Sequence, residues 1–470
     1  MGHLGRKLLI VGAGSSGLGV ALAAARRGWQ VLILEARDIG GGTSTTSTKL
    51  IHGGVRYLES AIKSLRWSDW VLVREALRER KWMLESHPDL CRTLPIALPV
   101  QNLIEKLYYG TGLKLYDYLS YPYRLGATRW VSQADLYETF PLAKKGFRGA
   151  WLYMDGQFED RLYAVHLALY LRQRFGVEVR TYHRVVGAAV DKSGVRLEVE
   201  APDGGLYEER GDFLVNATGP WGDVLRQKLR PGVPPRLRIS RGSHLVLRGL
   251  PPLRAGWLIP RTTDGRVIFV LPWKEQTWLL GTTDEEAPAP EWNPAVPPDE
   301  EAYLLDYLRR YFDAEGEVVA RFAGFRPLVA AEAAGSTARL ARHHVIEVWQ
   351  PERTIHLMGG KWTTFRAMGE DTLRALYKHF LNASLPEGEP VESVVPDLTE
   401  LEHLRRTYPT PILPEEPYTE GEVRFWRALG WAHTPEDLVE GRWQLHLIDE
   451  RRAAALKAAL QSRWREFFSG

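Results

Sequence analysis

The run Lys7 to Val11 is short, continuous and apolar, and Gly12-Ala13-Gly14-Ser15-Ser16-Gly17 follows it directly. No other feature of the chain constrains its fold as tightly. An unbroken apolar run of that length suits a strand buried on both faces of a parallel sheet. After the glycines an Ala-rich stretch reads as helix to about Arg27, and Gly28 can close it. Val31 to Leu34 is the second strand, ended by Glu35. Each glycine has a mechanical reason. Gly12 permits the tight turn, Gly14 lets a pyrophosphate approach the backbone, and Gly17 lets helix and strand pack closely. The helix N-terminus, at Ser16, offers free N–H groups to a phosphate anion. Glu35, followed by Ala36, stands where a carboxylate can accept hydrogen bonds from an adenosine ribose. Strand, glycines, helix, strand and acid in this order predict a dinucleotide-binding unit of Rossmann type.

Three further segments favour FAD over a dissociable nicotinamide cofactor. Gly40-Gly41-Gly42-Thr43-Ser44 can wrap the pyrophosphate and flavin side of a long cofactor, and Ser44, Ser47, Thr48 and Lys49 read as cofactor contacts. Phe213 to Ala217 reads as a strand that turns sharply at Thr218-Gly219-Pro220. Thr354 to Met358 is a third strand, followed by Gly359-Gly360-Lys361 and a helix. Three returns to one ligand suit an extended, buried cofactor.

The 470 residues exceed one ordinary core, so two or three structural units are expected. Residues 160–175 read as helix and 177–200 as strands. Between 236 and 283 the chain is strand-rich, with Asp264-Gly265 as a hairpin signal and Val267–Trp273 and Thr277–Gly281 as the next antiparallel pair. From about 386 the chain is acidic and Pro-rich, then helical. The expected architecture is α/β: a Rossmann-type FAD-binding domain (1–85, 150–228 and 343–385), an inserted mixed-sheet substrate domain (86–149 and 229–342), and a helical C-terminal cap (386–470). The stretch 60–86 reads as a packing helix, with Trp70, Val73, Leu77 and Leu84 as its core stripe and Arg74, Arg78, Arg80 and Lys81 as its solvated face.

Composition excludes several classes. A net charge of +3 is too small to suggest a nucleic-acid partner. Cys91 is the only cysteine, so an intrachain disulfide is impossible. No secretory signal precedes the first strand, and no apolar run is long enough to span a bilayer. The pair His343-His344 lacks a cysteine or carboxylate cluster at ligand spacing, and no metal is expected. Residues 103–124 mix Leu, Ile and six Tyr with Lys106, Lys114 and Arg124, the composition of an interfacial helix or of a packing segment.

Lys49-Leu50-Ile51-His52-Gly53-Gly54-Val55-Arg56-Tyr57-Leu58-Glu59 resembles the signature of FAD-dependent glycerol-3-phosphate dehydrogenases. Asn216-Ala217-Thr218-Gly219-Pro220-Trp221, Gly242-Ser243-His244, Gly324-Phe325-Arg326-Pro327-Leu328 and Gly359-Gly360-Lys361-Trp362-Thr363-Thr364-Phe365-Arg366 resemble further family segments, in family order. The resemblance implies a glycine-oxidase-like core, a helical cap, and electron transfer to membrane quinone or to oxygen. It also implies a cytoplasmic enzyme that can meet the inner face of the membrane, with a homodimer left open.

A small phosphorylated alcohol needs fixed cations for its phosphate, a base for the C2 hydroxyl proton, and a flavin N5 to receive the C2 hydride. Arg offers a planar fork to phosphate oxygens and Lys a point charge. The resemblance puts Arg56, Tyr57, Arg326, Arg342 and Lys361 around the substrate, and Val185, Ala217, Thr218, Gly219, Gly360, Trp362, Thr363 and Thr364 around the cofactor. His52 and His244 are the base candidates, since imidazole can take a proton near neutral pH; the alternative is that each hydrogen-bonds the flavin, as a cofactor contact at His52, or orients substrate, as a substrate contact at His244. Two alternatives use the same scaffold: an amino-acid or sarcosine-type oxidase, and a flavin-binding redox scaffold without catalysis.

Overall fold

The computed structural model describes residues 5–53, 67–260, 262–330 and 344–468, with 67–72 described by helical backbone alone. Three sheets organise these residues. The first has six strands in the order Val345–Trp349, Thr354–Met358, Phe213–Asn216, Lys7–Val11, Gln30–Leu34 and Glu178–Arg180. Neighbours pair in parallel, except that Val345–Trp349 runs antiparallel to Thr354–Met358. Two strands remote in sequence therefore lie in line beside Lys7–Val11, and three carboxyl ends open onto one crevice, where open α/β sheets bind ligands. Helices Ser15–Ala25 and Phe365–Phe380 cross at close range: a Cβ on Gly19 would stand 2.2 Å from the Phe365 carbonyl oxygen. A three-stranded antiparallel sheet, Arg184–Asp191, Gly194–Glu200 and Leu206–Gly211, extends this unit.

The large mixed sheet contains ten strands. Gly256–Ile259 pairs with Ile268–Pro272, and Ile268–Pro272 with Trp278–Gly281, both antiparallel, as the hairpin signals predict. Leu237–Arg248 pairs with Glu317–Val329 along its whole length. One expected boundary shifts. Gly149–Phe158, assigned from sequence to the nucleotide domain from residue 150, is a strand of this large sheet, paired along its length with Cys91–Val100. Its residues are almost all buried, so no polar alternation marks the face it presents. Leu50–Ile51 joins the same sheet through this strand.

The C-terminal helices Thr399–Thr407, Glu420–Ala428, Pro435–Val439 and Glu450–Arg463 share a core with the six-stranded sheet, as Trp431, Leu438 and Leu456 join Leu8, Val31 and Val179. The Trp431 Nε1–H donates to the Val179 carbonyl at 3.0 Å.

The helix Trp67–Ser86 buries Val73 and Leu77, half-buries Leu84 and exposes Arg74 and Arg78. Arg80 corrects the sequence reading. It is buried, and its guanidinium donates to Asp155 Oδ1 (2.8 Å) and to the Tyr116 hydroxyl (3.1 Å). The core stripe and a buried ionic position occupy the same helix face, and a partner 75 residues away leaves no local trace.

Candidate functional site

The strand ends of the first sheet and one face of the large sheet enclose a cavity of about 800 Å³, large for a small-molecule site. Its nucleotide side follows from the glycine turn. Gly12 has φ +107°, and a Cβ there would meet the Ala217 carbonyl oxygen at 2.6 Å; a Cβ on Gly17 would stand 1.9 Å from the Gly12 oxygen. Gly14, Ser15 and Ser16 border the cavity at the N-terminus of the helix Ser15–Ala25. Glu35 also borders it, accepting from the backbone N–H of Ala13 (2.7 Å) and Arg37 (3.0 Å). Burial pushes its carboxyl up, against those two hydrogen bonds.

The remaining sequence-predicted residues separate into three groups. Ala36, Thr43, Ser44, Ser47, Thr48, His52, Val185, Ala217, Thr218, Gly219, Gly360, Lys361, Trp362, Thr363, His244 and Arg326 border the cavity with the residues above. Gly17, Lys49 and Thr364 do not. Gly17 packs beneath the turn, and the Thr364 hydroxyl donates to the Lys361 carbonyl. Lys49 is fully buried with its Nζ on Asp160 Oδ1 (2.7 Å), Asp160 Oδ2 (2.9 Å) and the Thr45 carbonyl (2.7 Å). The expected cofactor contact at Lys49 is thus corrected: a buried ammonium needs a counter-ion, and Asp160 supplies it. Arg56, Tyr57 and Arg342, with the signature from Gly54 onward, lie outside the described residues.

Two glycine-containing segments meet across the paired strands Leu237–Arg248 and Glu317–Val329, where Gly242 stands opposite Gly324 and Ser240 opposite Arg326. A Cβ on Gly242 would lie 2.2 Å from Arg326 Nη2, and one on Gly324 would lie 1.7 Å from Thr46 Oγ1. The two missing side chains let the guanidinium and the loop Thr43–Thr48 reach the wall. Arg326 donates to the Thr283 carbonyl (3.0 Å) and the Thr282 hydroxyl (2.7 Å), with Asp284 Oδ1 at 3.5 Å.

His244 is buried, stacked on Phe322 with ring centroids 4.7 Å apart. Its Nε2 is 3.0 Å from Thr48 Oγ1, and its Nδ1 has no hydrogen-bond partner among the described residues. Burial first, then Arg326 and Lys49, holds its pKa well below the usual imidazole value. Burial and the two cations therefore favour the neutral ring.

Sequence reasoning missed several wall residues. Thr282, Thr283 and Asp284 follow directly on the strand Trp278–Gly281, and a strand-end position was their one available signal. Trp221 and Trp292 stack 4.0 Å apart at the wall, with Arg37 Cζ 4.9 Å from the Trp292 ring. Asp155 accepts from the Gly53 N–H (3.0 Å) beside His52, and burial pushes its carboxyl up against the pull of Arg80. Among the described residues, no cluster of His, Cys, Asp and Glu could hold a metal ion.

The cradle fits a dinucleotide: the backbone is bare of side chains where a pyrophosphate would approach, a helix N-terminus faces it, and a carboxylate stands at the end of the second strand. Residues 7–374 match the family model described as FAD dependent oxidoreductase. The chain belongs to this family. It is 34% identical to the probable mitochondrial glycerol-3-phosphate dehydrogenase of Dictyostelium discoideum, over 95% of this chain and 78% of that one. It is 37% identical to the mitochondrial glycerol-3-phosphate dehydrogenase of Rattus norvegicus, over 80% of this chain and 53% of that one, so it spans about half of that relative. The solved glycerol-3-phosphate dehydrogenase of Bacillus halodurans, complexed with FAD, superimposes with a TM-score of 0.74 at 21% identity, covering 99% of this chain and 91% of that one. The family member described here is an FAD-dependent oxidoreductase with FAD as its cofactor, and the turns at Gly12, Thr218 and Gly359 are the segments that would hold it.

Proposed function

We propose that the protein oxidises sn-glycerol 3-phosphate to dihydroxyacetone phosphate. One juxtaposition carries the reading: Arg326, a fixed cation, and His244, a buried neutral imidazole, border the same cavity as the nucleotide cradle. A phosphate dianion calls for a planar fork and a point charge, and Arg326 and Lys361 supply them. Their charge also discriminates, because a substrate without the anion forfeits the charge-assisted hydrogen bonds. His244 or His52 takes the C2 hydroxyl proton, and Thr48 orients the His244 ring through its Nε2. Arg56, Tyr57 and Arg342 complete the proposed substrate set. FAD, when bound, supplies the two-electron acceptor. Anaerobic titration with glycerol 3-phosphate tests the proposal. Stoichiometric bleaching of the flavin is expected; bleaching by sarcosine or an amino acid instead would make the protein an amine oxidase, and no bleaching with any of them would leave a redox scaffold.

We infer that the electrons pass on to quinone or oxygen, and that a helix face favours the membrane route. The helix Leu103–Leu119 buries Gly110, Leu113 and Tyr116, while Leu103, Ile104 and Leu107 are 61%, 81% and 70% exposed, and Tyr118 and Tyr121 nearby are also exposed. An apolar edge with aromatic and lysine side chains suits the headgroup zone. Among the described residues no helix is long and apolar enough to cross a membrane. Flotation with anionic liposomes, lost in Ile104→Glu/Leu107→Glu, is expected. Failure of wild-type protein to float, with reoxidation by oxygen alone, would make oxygen the acceptor.

A further inference from the structure

Glu300 stands in the first turn of the helix Pro298–Tyr311, behind the cavity wall and not on it. It is almost completely buried, which is costly for a carboxylate unless every oxygen is engaged. Both are. Oε1 accepts from Arg241 Nε at 2.7 Å, and Oε2 accepts from the Ser243 hydroxyl at 2.6 Å and from the Thr283 hydroxyl. The helix N-terminus also favours the negative charge. The two hydroxyls belong to segments that are already joined: the Ser243 N–H donates to Thr283 Oγ1 at 2.8 Å.

These two segments carry the chemistry. Ser243 precedes His244. Thr283 presents the carbonyl that takes Arg326 Nη1, and its neighbour Thr282 presents the hydroxyl that takes Nη2. One carboxylate therefore ties the segment that bears the imidazole to the segment that aims the guanidinium. We propose that Glu300 is a positioning residue that holds His244 and Arg326 in one mutual register for a phosphorylated alcohol. The proposal rests on the substrate reading given above. Ser243 is fully buried and does not border the cavity, so it transmits the constraint without touching substrate.

The test uses the FAD-loaded full chain with Glu300→Gln and Ser243→Ala. In Glu300→Gln the amide cannot accept from Arg241 and from both hydroxyls together, so the tie is loosened while side-chain volume is kept. The expected result is a rise in the half-saturating glycerol 3-phosphate concentration together with slower flavin reduction, a combined loss of about 10- to 100-fold. FAD retention and the visible spectrum stay at wild-type values. Ser243→Ala shifts the same two quantities in the same direction, and the double variant loses less than the product of the single losses. Inorganic phosphate, titrated through its effect on the flavin spectrum, should bind more weakly to both variants. This second readout reports on Arg326 whether or not glycerol 3-phosphate is oxidised. Wild-type half-saturation and phosphate affinity in both variants would overturn the proposal, as would a loss that appears only as FAD release. Wild-type protein that glycerol 3-phosphate does not reduce would refute the substrate reading instead, and the phosphate titration would then decide the role of Glu300.

Discussion

Replacing Lys49 by Met separates two roles that its place in the signature leaves confounded. Both Lys49 and Asp160 have no exposed side-chain surface. Without the ammonium, Asp160 keeps the Ser47 hydroxyl at 2.7 Å and the Arg161 N–H at 2.8 Å, but no counter-ion. Leaving a buried charge without its partner costs about 3–5 kcal/mol. The loop Thr43–Thr48 is loosened as well, because its Thr45 carbonyl loses its Lys49 donor. The assay is urea unfolding of FAD-stripped protein followed by tryptophan fluorescence. A loss of that size in the apoprotein is expected, with partial recovery in Lys49→Met/Asp160→Asn, where no buried charge is left alone. An unchanged urea midpoint, accompanied by weaker FAD binding, would refute the reasoning and return Lys49 to the cofactor.

Arg326→Ala is expected to weaken glycerol 3-phosphate far more than glycerol, by about 1.5–3 kcal/mol in kcat/KM for one lost charge-assisted hydrogen bond; equal losses would mean that Arg326 serves the wall alone. His244→Asn or His52→Asn should slow flavin reduction roughly 10²–10⁴-fold with FAD retained. If His244 is the base, the acid limb of the pH profile lies below the usual imidazole value, because burial and Arg326 hold its pKa down; wild-type rates in both variants would exclude the pair. Stability should fall on acidification. His356 is held down to about 3 by burial and then Arg226 and Arg230, and His446 to about 3 by burial and then Arg161, Lys49 and Lys457. Unfolding returns both to their ordinary 6.5, so the unfolded chain takes up protons first. Stability is complete above that value and declines as pH drops towards about 3, by up to about 1.4 kcal/mol per pH unit for each histidine. A urea midpoint unchanged between pH 7 and pH 5, roughly the upper part of that window, would contradict this.

The nucleotide cradle and most of the strand–turn pattern are legible in the amino-acid sequence. Gly12, Gly14 and Gly17 at their spacing, the strand before them and Glu35 after them are local steric and electrostatic requirements, so they are written in consecutive residues. The turns after Phe213–Asn216 and Thr354–Met358 were legible for the same reason, and parallel pairing then brought them to one crevice. Tertiary structure decided the ionic positions. Lys49 could be read as a cofactor contact and Arg80 as a surface cation until Asp160 and Asp155 were placed beside them, 111 and 75 residues away. The segment after the helix Pro435–Val439 is tied to the nucleotide unit by Arg442, 404 residues from Asp38, whose guanidinium donates to both oxygens of that carboxylate. Glu300 carried no motif at all. A side chain's periodicity and steric needs are expressed over a few residues, whereas the counter-ion that makes its burial tolerable is chosen by the fold.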